Sequence, residues 1–147
     1  MQIIGAVKNG QQGVVLRVKL VDANAVGGDY GKDALTYAST GLIIAAIADN
    51  EAVAKVYTSA GNTIEDITTL GTYQAPSSGC CRFKEVDAAN MRGIYEIHLA
   101  NARFAVSGAK QLLVTIPSDG VVWYDFNGIV LLTAVDPPVV GGGVVEG

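Results

Sequence analysis

The chain has 147 residues, enough for one domain whose core folds without metals or disulfides and too few for two full domains. Half of it is hydrophobic and 16% is charged, which excludes a disordered or solvating chain, and 18 glycines with many small Ala and Val residues favour close-packed sheets and protein contacts. A net charge of −4 and a pI of about 4.8 give no attraction to a phosphate backbone, so nucleic acid is not an expected partner.

The opening residues MQIIGAVKNG lack the basic region and long apolar run of a secretory signal. The longest apolar stretch, GLIIAAIA, falls well short of the roughly 18 residues of a membrane span, so no membrane partner is expected and the chain is expected to be made in a cytoplasm. Residues 1–12 read as an N-terminal extension, 13–136 as the folded domain and 137–147 as a Pro/Gly-rich C-terminal tail.

In chain order, GVVLRVKLV (13–21) alternates, with Val14, Leu16, Val18 and Leu20 on one face and Arg17 and Lys19 on the other, the pattern of a half-buried strand. Asp22, Asn24, Gly27, Gly28, Asp29 and Gly31 mark 22–40 as a long loop. GLIIAAIAD (41–49) and AVAKVYT (52–58) are two runs around Asn50-Glu51 and predict a hairpin, with a short helix as the alternative for the Ala-rich first run. TIEDITTLGTY (63–73) favours extended structure, and Glu65 and Asp66 place it at an edge or in a loop.

CCRFKEV (80–86), IYEIHLA (94–100), KQLLVTIP (110–117) and GIVLLTAV (128–135) read as strands, and NARFAVSG (101–108) as a single helical turn or corner. GIVLLTAV is apolar on both faces, which places it centrally or beneath a neighbouring subunit. Short strands separated by turn signals, with no long helix-period segment, predict an all-β antiparallel β-sandwich of about seven or eight strands with extended termini. The tail DPPVVGGGVVEG cannot continue a central strand, and its pairs Val139-Val140 and Val144-Val145 are too apolar for a purely solvated end. They are expected to add to the sheet edge of a neighbour.

The stretch DAANMRGIYEIHLAN (87–101) contains the only histidine. Asp87 to Asn90 reads as a turn, Gly93 supplies a conformation of low steric cost, and Tyr95, Ile97 and Leu99 alternate into the core. Asn90, Gly93 and Tyr95 are therefore the fold-determining residues, and the Tyr95 hydroxyl is expected to pin a neighbouring loop as a tyrosine corner does. Glu96 and His98 share the opposite face, expected to be solvated or to meet a subunit, and a hydrolase using this pair is the enzymatic rival.

One histidine and scattered carboxylates do not supply three or four convergent metal ligands, and the Gly-rich segments match neither phosphate-loop nor dinucleotide fingerprints. No metal or cofactor is expected, nor an enzyme. Asp22 with Asp29 and Glu65 with Asp66 are carboxylate pairs, and the adjacent Glu65 and Asp66 read as surface charges. Cys80 and Cys81 are adjacent, so their side chains diverge on a strand and free thiols are expected. Trp123, Tyr124 and Phe126 form a cluster in SDGVVWYDFNG that fits core or a subunit interface, with a saccharide platform as the alternative.

Several segments together resemble a known family. These are the first strand ending in Val21-Asp22, the turn Ser39-Thr40-Gly41-Leu42, the run Phe83-Lys84-Glu85-Val86-Asp87 to Asn90 and Gly93-Ile94-Tyr95, the corner Ala100 to Val106, and the strand Leu113-Val114-Thr115-Ile116. Over residues 10–135 the chain resembles the immunoglobulin-like N-terminal module of baseplate upper and tail-fibre-type virion proteins of tailed bacteriophages. That resemblance implies a non-enzymatic virion structural protein that works as a homo-oligomer with capsid or tail proteins as partners, and it carries over no catalytic residues. Family members are often followed by a fibre, whereas here twelve residues follow Val135, which favours a small stand-alone piece. Head decoration and tail, baseplate or fibre attachment both remain open as locations, and a carbohydrate-binding module for host glycans using Trp123 and Tyr124 is the alternative function.

Overall fold

The computed structural model describes residues 1–24 and 30–135. These residues form nine strands: β1 (Gln2–Lys8), β2 (Leu16–Lys19), β3 (Ile43–Ala48), β4 (Lys55–Thr58), β5 (Ile64–Glu65), β6 (Cys81–Asp87), β7 (Met91–His98), β8 (Gln111–Ile116) and β9 (Phe126–Thr133). A single 3₁₀ turn, Asn101–Phe104, lies between β7 and β8. The strands build a β-sandwich from a five-stranded sheet ordered β1-β9-β8-β3-β4 and a four-stranded sheet ordered β2-β7-β6-β5. The runs β9-β8-β3 and β2-β7-β6 match the two sheets that define the immunoglobulin arrangement.

Alternation accounts for the packing. Leu16, Val18 and Leu20, then Ile44, Ala46 and Ala48, then Leu112, Val114 and Ile116, and Val130 with Leu132 project into one shared core. Phe83 and Tyr95 stack at its centre with ring centroids 4.7 Å apart. Burying each large side chain of this kind stabilises the fold by roughly 1.5–3 kcal/mol. The Ala-rich run 41–49 is a strand, because its alternate residues Leu42, Ile44, Ala46 and Ala48 are all buried and a helix would scatter them around its circumference.

Three features differ from the expectation. Residues 1–12 do not stand ahead of the sandwich, since residues 2–8 are its edge strand β1, paired in parallel with β9 from Gln2↔Gly128 to Lys8↔Thr133. Ile4 and Val7 pack against the core, which holds this strand to the sheet. The sandwich is not wholly antiparallel, because β5 also pairs in parallel with β6. The strand count is nine against the expected seven or eight, β1 and β5 being edge elements. The predicted placement of GIVLLTAV does hold: β9 lies between β1 and β8. The tail 137–147, with Val139, Val140, Val144 and Val145, and Asp29 lie outside the described residues.

Candidate functional site

The stretch 87–101 shows how local sequence sets the geometry. Asp87 Oδ1 accepts the backbone N–H groups of Ala89 and Asn90, both at 3.1 Å, and Asn90 Nδ2 donates to Asp87 Oδ2 at 3.0 Å. These bonds close the β6–β7 turn and, led by the Asn90 side chain, hold the Asp87 carboxyl below its ordinary pKa. Gly93 has φ of +85°, and a Cβ there would lie 2.4 Å from Gly31 Cα. Gly31 in turn would place a Cβ 2.0 Å from Arg92 O, so two glycines let the long loop cross β7 at backbone contact.

The Tyr95 hydroxyl donates to Lys32 O and accepts from the Leu35 N–H at 3.2 Å, pinning that loop as expected. Its position is mid-strand on β7 rather than at a corner. Burial pushes the phenol well above its ordinary pKa. Glu85 completes the clamp by accepting the N–H of Ala34 at 2.8 Å and of Gly93 at 3.2 Å.

Glu96 and His98 are not on a solvated face: both are fully buried. The segment between β5 and β6 folds back over the four-stranded sheet and covers them. The Gly71 N–H donates to both Glu96 oxygens at 3.0 Å, and the Gln74 N–H donates to His98 Nδ1 at 3.1 Å. With Nδ1 accepting, the ring proton sits on Nε2, which meets Glu96 Oε2 at 2.8 Å. Arg17 adds bonds from Nε and Nη2 to Glu96 Oε1 at 3.2 and 3.1 Å. Tyr73 lies with its ring centroid 5.4 Å from that of His98, and its hydroxyl donates to Leu99 O at 2.8 Å.

Every acceptor and donor of the imidazole is thus used within the chain. No Ser, Thr or Cys hydroxyl or thiol takes the place at Nε2 that a nucleophile needs, because a carboxylate occupies it. This arrangement clamps a loop onto a sheet. Sequence reasoning placed residues 63–73 at an edge or in a loop and so missed the cover; Ile67, buried within that segment, was the available signal.

The aromatic cluster separates. Trp123 is 1% exposed with Nε1 donating to Pro117 O at 3.0 Å, and Phe126 is also buried. Both lie in the chain's own core, so of the two readings left open for them, core or subunit interface, it is the core that holds, while Tyr124 is 58% exposed. Asp119 Oδ1 directs Trp123 inward by accepting the N–H groups of Val121, Val122 and Trp123 at 3.0, 2.6 and 3.3 Å. A saccharide platform would need the indole face that this turn buries.

Cys80 and Cys81 are free, as expected. Burial pushes the Cys81 thiol far above its ordinary pKa, which suppresses thiolate chemistry. Among the described residues no three His, Cys, Asp or Glu side chains converge as a metal site would require, and no helix is long and apolar enough to cross a membrane.

The surface that stands out is the outer face of the five-stranded sheet. Register aligns Ile47 with Leu113, Leu113 with Ile129 and Ile129 with Ile3, so four apolar side chains form one ladder across four strands. Ala45 and Val56 form a second row with Thr115. A shallow depression of about 380 Å³ follows the ladder, floored by Ile47, Leu113 and Ile129 and rimmed by Met1, Gln111 and Glu51. The two outer faces therefore contrast: one carries Arg17, half exposed, over Glu96 and His98, which the chain itself covers, whereas the other carries the apolar ladder, exposed at Ile3 and half-buried at Ile129, Leu113 and Ile47, with Asp49 and Glu51 at the rim of its depression. Comparison with family models, with curated proteins and with solved structures finds no match to this chain.

Proposed function

We propose that this protein is a non-enzymatic structural component of a tailed-bacteriophage particle, assembling as a homo-oligomer on a capsid or tail surface. The observation that carries the associative part is the open ladder Ile3–Ile129–Leu113–Ile47. A solvated sheet face normally alternates polar residues outward, whereas this one presents a row of branched aliphatics, the composition of a contact surface. Many copies on a particle raise the effective concentration of each such contact, so modest faces suffice. The particle itself is supported by the resemblance of residues 10–135 to phage virion modules.

The buried state of Glu96 and His98 supports a structural over a hydrolytic reading, and the buried Trp123 leaves the glycan alternative without its main platform. The test is electron microscopy of particles carrying the wild-type chain or Leu113→Lys. Density for the wild type on the particle surface, lost in the variant while the purified variant stays folded, is the expected result. Undiminished occupancy of the variant, or absence of the wild type from particles, overturns the proposal.

A further inference from the structure

We propose that the free edge of β1 takes up residues 139–145 of a second copy as an added strand. The inference rests on the multimeric reading above and specifies its contact. β1 is bonded to β9 on one side and has no strand on the other among the described residues. The remaining edges are blunted. β2 and β4 have four residues each and carry Arg17 and Lys19, or Lys55, and β5 has only two residues. β1 has seven, and Gln2 to Val7 bear no charge. Ile3, where the apolar ladder reaches this edge, is 65% exposed, so the row ends at an exposed side chain on an edge that no described strand pairs with.

The segment following Asp136 has the matching chemistry. Residues 137–145 are uncharged, and 139–145, VVGGGVV, has the same seven-residue length as β1. In a strand each Val-Val pair places one side chain on each face. An antiparallel register that centres the two segments sets Gly142 opposite Gly5, Val144 beside Ile3 and Val140 beside Val7. Val144 then continues the ladder by one rung. The register shift between Ile3 and Gly5 kinks β1, and three glycines without Cβ atoms let a partner backbone follow that kink.

The donor is assigned to a second copy because a strand laid antiparallel along β1 by the same chain would have to pass around the end of the sheet and reverse at once. Thr133 pairs with Lys8, so the segment leaves β9 at the end of the sheet where β1 also ends. There the following turn is tied down by Asn9 N–H to Thr133 O at 2.8 Å, by Asn9 Nδ2 to Val106 O at 2.9 Å and by Gly10 N–H to Phe104 O at 2.8 Å. Pro137-Pro138 favours an extended course over immediate reversal.

A photoreactive benzophenone amino acid placed at Val144 of the full chain tests this. Irradiation is expected to give covalent dimers whose cross-links map to residues 2–8. A Val140→Pro, Gly142→Pro variant carrying the same probe removes backbone donors outside the described strands; it is expected to lose the dimer and to sediment as a smaller species with an unchanged melting temperature. Cross-links confined to one chain, mapping to other strands, or persisting in the proline variant overturn the proposal. Particles that lack the protein while the β1 cross-link forms count against the particle reading alone; particles that carry it without the cross-link count against the added strand alone.

Discussion

At the scale of single residues, the structure depends on backbone contacts and buried polar pairs that tolerate little change. Gly93→Ala adds a methyl group 2.4 Å from Gly31 Cα at a φ of +85°, so strain and steric overlap act together. A loss of at least about 3 kcal/mol is expected from chemical denaturation, well above the typical effect of a substitution. His98→Ala leaves the Gln74 N–H and Glu96 Oε2 without their buried partner. A cost of about 2–4 kcal/mol follows from an unsatisfied buried network. Limited proteolysis should then cut within residues 66–76 at a rate the wild type does not show, which a purely catalytic histidine would not cause.

At the scale of elements, three consecutive residues of the β3–β4 connection hold the opposite corner of the sandwich. Asp49 Oδ1 accepts the Lys110 N–H at 3.0 Å, Asn50 Nδ2 donates to Ser107 O at 2.9 Å, and Glu51 pairs with the buried Arg103 of the 3₁₀ turn. Arg103, with the Ala48 N–H, lowers the Glu51 pKa from 4.5 to about 2. A depressed carboxylate stabilises the fold fully above its unfolded value and loses that contribution as pH falls through the folded one. Stability is therefore expected to decline between about pH 4.5 and 2, and Glu51→Gln to flatten this part of the acid-unfolding curve. The neutral-pH cost of the variant should be no more than about 1–2 kcal/mol because the carboxylate keeps some solvent contact.

At the scale of the whole molecule, the sandwich is asymmetric. The four-stranded sheet has Glu96 and His98 covered by its own chain, whereas no described segment lies across the five-stranded sheet, so the two faces respond differently to substitution. Leu113→Lys lies outward on β8, where the half-buried stem can lie along the sheet with the ammonium in water. Its unfolding free energy should stay within about 1 kcal/mol of wild type while light scattering reports less self-association. Val114→Lys, one residue away and facing the core, is the contrasting case and should not yield folded protein.

Much of the fold was legible in the pattern of residues. Alternation in GVVLRVKLV and KQLLVTIP, the Asp87–Asn90 turn, Gly93 and the pinning role of Tyr95 are all local consequences of period, turn chemistry and steric freedom, and such features need no knowledge of the rest of the chain. The surfaces were not legible in the same way. A strand pattern separates two faces without saying what covers each, so Glu96 and His98 read as solvated until residues 66–76 were seen folded across them. Trp123 fitted core and subunit interface equally, and the Asp119 turn that directs it inward decides for the core. The sequence by itself determined which side chains share a face, because that is set by backbone geometry between neighbours. Only the tertiary structure decided which faces are closed, because that depends on segments distant in sequence and on the register that lines up Ile3, Ile129, Leu113 and Ile47 across four strands.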